Sequence, residues 1–427
     1  MWWLYEVLLI IGLLSHLPKA LWRRRLPHRG WAMRLGRYPQ RVAETLGGRS
    51  SLWLHAVSVG ETLAAQPLVT ALTASYPALP LVFSTVTPSG FEVASKRLDN
   101  RGTVVYFPLD FQRCVHRALN TLQPRALLLM ESELWPNMIR LARQRGIPVI
   151  VINGRISPRS FRRAQRLRSW VSSHLNQITL FLMQSQLDAD HLLQLGVPAS
   201  RMRVVGSLKW DASLAARPTT SLLTEAAAQL GLRNDESVVV AGSTHHGEEE
   251  AILDAVQAAR ALQNNIRLIL APRHLERLDD VEALCRRRGL TIVRTSQAAS
   301  RHEWQVALVD VFGRLPRYYG LATVAVIGGS FIPHGGQNPL EPASLGKPII
   351  FGPFMHNFAE IAQQLTAHHA ARQLEHSDQL APVLLELLTR PSEARAMGAR
   401  AQALTEQSRG TVQRTLDALA PFLQPRD

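Results

Sequence analysis

Short runs rich in Val, Leu and Ile recur along this chain at 52–56, 81–85, 103–107, 126–130, 149–153 and 179–183, and mixed segments of helix length, such as 61–76 and 135–145, separate them. That alternation constrains the fold more than any other feature. Strands that alternate with helices build βαβ units around a parallel sheet. The rhythm pauses at Ala215-Ala216-Arg217-Pro218-Thr219-Thr220 and restarts, with strand candidates at 237–241, 266–270, 291–293, 305–309, 323–327 and 348–351. Two successive α/β series predict two doubly wound, Rossmann-like domains facing a cleft. Ligands of such sheets bind beyond the carboxyl ends of the strands. The expected boundaries are 26–214 for the first domain, 215–222 for a linker and 223–427 for the second domain, which ends in helices.

The chain has 427 residues, room for about two or three domains of about 150 residues each. Its 46% hydrophobic content supports packed cores and excludes a disordered chain. A formal charge of +15 favours anionic partners: nucleic acid, phospholipid surfaces or phosphorylated substrates. The excess is more arginine than lysine, and arginine suits bidentate contacts to phosphate and carboxylate. Cys114 and Cys285 lie far apart and in no Cys/His ligand pattern, so they read as free thiols and not as a zinc site.

Residues 2–17 are nearly all apolar, broken by Glu6 and His16, and Lys19, Arg23, Arg24 and Arg25 follow. The run is shorter than the roughly 20 residues of a spanning helix. A signal peptide carries its positive charge ahead of the apolar run and ends on small residues. Here the charge follows, and Pro18-Lys19-Ala20 makes a poor cleavage site. Residues 1–25 are therefore expected to form an uncleaved membrane-anchor helix, with Trp2, Trp3 and Trp22 at the interfaces and the arginines on the cytoplasmic phosphates.

The motifs that can carry chemistry sit at predicted strand ends. In Trp53-Leu54-His55-Ala56-Val57-Ser58-Val59-Gly60-Glu61 a strand runs out and a helix starts, which places Glu61 in the first helical turn. A carboxylate there can act as general base toward a hydroxyl; it can equally do no more than complement the helix dipole. His55 reads as a core histidine. Met130-Glu131-Ser132-Glu133-Leu134-Trp135-Pro136-Asn137 follows a very apolar run, and two acids there are costly without a reason. Glu131, nearest the strand end, is the candidate for the cleft, and Glu133 for a helix cap. Gly206-Ser207-Leu208-Lys209-Trp210-Asp211 brings a lysine near the hinge, within reach of a phosphate or carboxylate.

In the second half, Ala241-Gly242-Ser243-Thr244-His245-His246-Gly247-Glu248 ends a strand in a small hydroxyl-rich loop whose N–H groups suit a phosphate. Pro272-Arg273-His274 again follows a strand, and Arg273 can pair with a phosphate or read a base. In Gly328-Gly329-Ser330-Phe331-Ile332-Pro333-His334-Gly335-Gly336-Gln337-Asn338-Pro339-Leu340-Glu341 a glycine-rich loop allows close approach to a ligand, and Glu341 can accept from ribose hydroxyls. The stretch is neither a Walker loop nor a GxGxxG fingerprint.

Together HAVSVGE, ESELWPN, GSLKWD, APRH and GGSFIPHGGQNPLEPASLGKPIIFGP resemble the signatures of the 3-deoxy-D-manno-octulosonic acid (Kdo) transferases of lipopolysaccharide assembly, in order along nearly the whole chain. The resemblance implies a GT-B fold with an N-terminal acceptor domain and a C-terminal nucleotide domain. It implies CMP-Kdo as donor substrate, the lipid A precursor lipid IVA as acceptor, no cofactor, no metal, and an inverting transfer at the cytoplasmic face of the inner membrane. Carried over by motif, Glu61 is the base, and Glu131 and Lys209 stabilise the transition state. Pro272, Arg273, Asn338, Pro339, Leu340 and Glu341 hold CMP. A third CMP contact is often Met-Gly-Glu in the family; here Phe312-Gly313-Arg314 stands in its place, so Phe312 and Gly313 can still contact the nucleotide through the backbone, while Arg314 cannot accept a hydroxyl proton and can instead meet the phosphate. The arginines Arg155, Arg159, Arg162, Arg163, Arg166 and Arg168, with residues 23–41, are expected to dock an anionic membrane and a phosphorylated lipid. The rival readings are a GT-B enzyme that uses a UDP-sugar and a tethered nucleic-acid binder. The second predicts interleaved aromatic and basic residues, which the sequence lacks, so no nucleic-acid partner is expected.

Overall fold

The structure is a computed structural model that describes residues 5–7, 9–12, 30–98, 101–298 and 303–424. The chain divides into two compact units, Met1–Ala212 with Gly410–Asp427, and Ser213–Arg409. In the first unit the strands are β1 (Ser51–His55), β2 (Leu81–Thr85), β3 (Thr103–Tyr106), β4 (Pro124–Met130), β5 (Val149–Gly154), β6 (Leu180–Met183) and β7 (Met202–Val204). They lie in the order β3-β2-β1-β4-β5-β6-β7, every pairing parallel. The second unit holds β8 (Ser237–Thr244), β9 (Ile266–Pro272), β10 (Ile292–Arg294), β11 (Val306–Leu308), β12 (Val324–Ile327), β13 (Ile349–Phe351) and β14 (Arg372–Gln373). Their order is β10-β11-β9-β8-β12-β13-β14, again all parallel. The strand order reverses beside β1 in the first sheet and beside β8 in the second, the switch points where crevices open in such folds.

Each run expected from the apolar rhythm is a strand. The two strands that the rhythm does not announce are β7 and β14, both at sheet edges. Val204 is 45% exposed and Arg372 and Gln373 face solvent, so neither edge strand needs an apolar run.

Alternation within β4 shows why the central runs are continuous. Leu127 and Leu129 join Trp53, Leu141 and Phe181 on one face, while Leu128 and Met130 join Leu54, Leu68 and Leu72 on the other. A strand covered by helices on both faces has no solvent side. Each fully buried leucine contributes about 1.5–3 kcal/mol.

Two expected boundaries are corrected. The helix Thr411–Leu423 belongs to the first unit: Leu416, Leu419 and Leu423 complete the core around Leu68 and Leu72, and Asp211 accepts from Gly410 N at 2.9 Å and Val412 N at 2.7 Å. The second domain therefore ends near Arg409 and not at 427. The linker is shorter than 215–222, because the helix Leu208–Ala215 runs to its first residue and Thr219 caps the helix Thr220–Gln229. The expected anchor, 1–25, lies mostly outside the described residues. Within it 5–7 and 9–12 are helical and Val7, Ile10 and Ile11 are exposed. Among the described residues no helix is long and apolar enough to cross a membrane.

Candidate active site

β1 runs out at His55, and Ser58, in extended backbone, caps the helix Val59–Ser75 by accepting from Glu61 N. Glu61 stands three residues on, the spacing of a capping box. Its carboxylate turns back on the loop. Val57 N–H donates to Oε2 and the Ser58 hydroxyl to Oε1, both at 2.9 Å. Capping and general-base chemistry are compatible here: two donors fix the carboxylate, and each oxygen keeps a lone pair. Burial pushes the Glu61 carboxyl above its usual range; Val57 N–H, Ser58 and the Lys209 ammonium pull it back, while the Glu131 charge adds to the rise.

Glu131, just past β4, has φ +54°. That left-handed conformation costs a non-glycine residue about 1–3 kcal/mol and is characteristic of functional sites. The residue is 8% exposed, and two cations meet its side chain. Arg155 Nε donates to Oε2 at 2.8 Å, and Lys209 Nζ lies 3.4 Å from Oε1. A buried charge persists only when it is paired and hydrogen-bonded, and this pairing answers why an acid follows so apolar a strand. Glu61, Glu131 and Lys209 thus come together at the carboxyl edge of the first sheet, from β1, from its neighbour β4, and from the helix Leu208–Ala215.

Several contributors escaped the sequence reading. Arg155, grouped there with the lipid-docking arginines, pairs with Glu131 instead. Asn153 accepts from Leu208 N at 2.9 Å through Oδ1, which fixes the start of the helix carrying Lys209. Glu133 does not cap the helix Pro136–Gln144, whose first turn holds no acid. Asp110 serves that end, accepting from Asn137 N at 2.9 Å and Met138 N at 2.8 Å. Glu133 is pushed up to about 7 by burial and by the nearby Glu61 and Glu131 charges. His55 is fully buried, stacked 3.8 Å from Phe107, with Nδ1 on Ser84; burial holds it down at about 3, as befits a core histidine.

In the second unit, Pro272 ends β9 and Arg273 follows. Asn338 Oδ1 accepts from Leu340 N at 3.1 Å, and its Nδ2 lies 3.4 Å from Glu341 Oε1. Burial raises Glu341 to about 7, with Asn338 and the Arg273 charge opposing. Arg273, Asn338 and Glu341 therefore form one group. Pro339 immediately precedes the short helix Leu340–Ser344, and the Leu340 side chain is wholly buried, leaving only backbone for a ligand. Phe312, Gly313 and Arg314 lie in the turn after β11. Phe312 is 64% exposed and Gly313 has φ +81° with open space around it. Among the described residues no hydrogen bond or ion pair joins them to Arg273, Asn338 or Glu341.

The loop after β8 is corrected. Its N–H groups were expected to suit a phosphate; one of them, that of His245, is taken by Glu248. The Glu248 carboxylate accepts from His245 N at 2.9 Å and Gly329 N at 2.6 Å through Oε2, and from Phe331 N at 3.0 Å through Oε1. It pins the glycine-rich loop to β8. Glu249 is likewise engaged, by Thr244 at 3.1 Å and Arg277 at 2.9 Å.

Residues 29–212 match the family described as 3-deoxy-D-manno-octulosonic-acid transferase (kdotransferase). The chain is 34% identical to a 3-deoxy-D-manno-octulosonic acid transferase of Haemophilus influenzae, across 91% of this chain and 92% of that protein. This chain belongs to the Kdo transferase family. A Bordetella pertussis member is 35% identical across 94% of this chain and 95% of its own length. Among solved structures, Anabaena HepE in complex with UDP matches with a TM-score of 0.59 at 15% identity, over 87% of this chain and 100% of that one. At that identity the likeness shows the fold alone, GT-B. The Kdo transferase motifs are thus the segments that build the two groups described above.

Proposed function

We propose that this glycosyltransferase moves Kdo from CMP-Kdo to lipid IVA, with inversion and without a metal. The observation that carries the reading is the meeting of Glu61, Glu131 and Lys209, with Glu131 clamped between two cations. Glu61 takes the proton of the acceptor hydroxyl as its oxygen bonds to the anomeric carbon. The bond from that carbon to the phosphate oxygen breaks, and CMP leaves with the electron pair. Charge grows on the leaving phosphate, where a preorganised cation such as Lys209 stabilises it most. Glu131 positions Lys209 for that task. On the donor side Asn338 and Glu341 take the ribose and Arg273 the phosphate. The exposed Val7, Ile10 and Ile11 and the arginines of the helix Pro158–Arg166, which buries no residue, suit an anionic inner-membrane surface where the acceptor resides.

The test is transfer from CMP-Kdo to a tetraacylated lipid A precursor, with EDTA present, comparing the wild type with Glu61→Ala. Product from the wild type and a loss of about 10²- to 10⁴-fold in the folded variant are expected. The mass of the product counts the Kdo units. Full activity of Glu61→Ala removes it as base, and turnover with a UDP-sugar instead of CMP-Kdo overturns the donor.

A further inference from the structure

Beside β8, at the switch point of the second sheet, lies a histidine cluster that the reading above leaves unused. His245 is buried, 8% exposed. The ring of His334, from the glycine-rich loop after β12, stacks on it at 4.4 Å with 26° between planes. His274, after β9, meets it edge-on at 5.5 Å. The Gln337 amide lies 3.3 Å from His245 Nε2 and donates to it, which leaves the proton of the neutral ring on Nδ1. Three loops from adjacent strands therefore converge on one buried imidazole, at the place where such sheets bind ligands.

The charges facing His245 are unbalanced. Arg273 and Arg277 come from the β9 side, and His274 and His334 add two further sites for a proton. Glu248 and Glu249 are the acids near the loop, but the first is spent on three backbone N–H groups and the second on Arg277 and Thr244. Burial, then these neighbours, hold His245 down at about 4. The buried His245 ring, packed among arginines, disfavours a proton until an anion arrives. An anionic oxygen in the crevice reverses the balance, because an opposite charge favours the protonated ring and a charge-assisted hydrogen bond rewards it.

We propose that His245 and His334 form an anion subsite that takes up one proton from solvent when the donor binds. The inference rests on the CMP-Kdo reading and specifies which donor group the pair meets: an anionic oxygen, of the phosphodiester or of the sugar carboxylate. Neither group titrates near neutral pH, so the proton resides on the imidazole pair. His334, exposed and stacked on its buried partner, faces the ligand from the glycine-rich loop.

The experiment is calorimetric titration of the full-length protein, in buffers of different ionisation enthalpy, with CMP-Kdo, the methyl phosphodiester of CMP, and cytidine. Cytidine carries the ribose but no anion and so subtracts any proton that Glu341 exchanges. The expected result near pH 7 is a net proton uptake for CMP-Kdo over the cytidine baseline. Uptake with the phosphodiester as well assigns the phosphate as the anion; uptake with CMP-Kdo alone assigns the carboxylate. His334→Asn lowers uptake to the baseline and weakens CMP-Kdo roughly tenfold at pH 6 while leaving it within about twofold at pH 8. His334→Lys, with a fixed charge, keeps the affinity and abolishes the uptake. A wild type that binds CMP-Kdo with the cytidine proton count, or a folded His334→Asn with unchanged uptake, overturns the subsite. Failure of CMP-Kdo to bind the wild type overturns the donor reading itself, a separate outcome.

Discussion

Glu248→Gln is the sharpest test of how the glycine-rich loop is held. In the native site one carboxylate oxygen takes His245 N and Gly329 N, and the other takes Phe331 N at 3.0 Å. Glutamine keeps the shape, but its amide oxygen can stand on one side only. With the oxygen left on His245 and Gly329, the new NH₂ faces the Phe331 N–H, donor against donor. One charge-assisted hydrogen bond of about 1.5–3 kcal/mol is lost, and the other two weaken by roughly half as the charge disappears. Burial already raises the Glu248 carboxyl, so part of the loss is returned by removing a charge that was costly to desolvate. The net effect on loop opening is about 2–4 kcal/mol, which converts to about 30- to 1,000-fold faster amide exchange. Hydrogen exchange followed by mass spectrometry on peptides covering 327–337 reads it, with Glu225→Gln, on an exposed helix face, as the control. Exchange within threefold of wild type would refute the argument that this carboxylate, and not the loop's own turns, pins the segment.

Three further outcomes follow from the same geometry. Lys209→Ala leaves Glu131 buried with Arg155 alone and lowers kcat about 10²- to 10³-fold; a change confined to KM sinks the transition-state role. Asn153→Ala frees the start of the helix carrying Lys209, so kcat falls less than for Lys209→Ala and adding the two changes costs little more than Lys209→Ala alone; full additivity in a double-mutant cycle contradicts the shared action. Glu341 is raised from 4.5 to about 7, so its contribution to stability is complete below about 4.5 and is lost as pH rises through about 7. The span corresponds to an upper bound of about 3 kcal/mol. Glu341→Gln therefore gains stability relative to wild type between pH 5 and pH 8 in denaturant unfolding, and an equal difference at both pH values counts against the burial argument.

Much of this protein is legible along the chain, for a physical reason. Strands that helices cover on both faces must be apolar throughout, so β4 and β8 announce themselves, and βαβ units leave few other topologies. The same logic brings Glu61, Glu131, Arg273 and Glu341 to notice, because polar groups next to such strands need a cause. What the sequence cannot show is which distant group answers each of them. Arg155 sits in a run of arginines and looks like surface charge until Glu131 is found 2.8 Å away. Asp110 and Asn153 carry no local mark of their task, since the N–H groups they bind start other helices, and two of the three donors to Glu248 come from a loop about 80 residues away. The helix Thr411–Leu423 has the same apolar stripe whichever unit it covers, and only the open face beside Leu68 and Leu72 decides. Periodicity is a property of a segment and is written in it; partnership is a property of two segments, and tertiary packing alone chooses the pair.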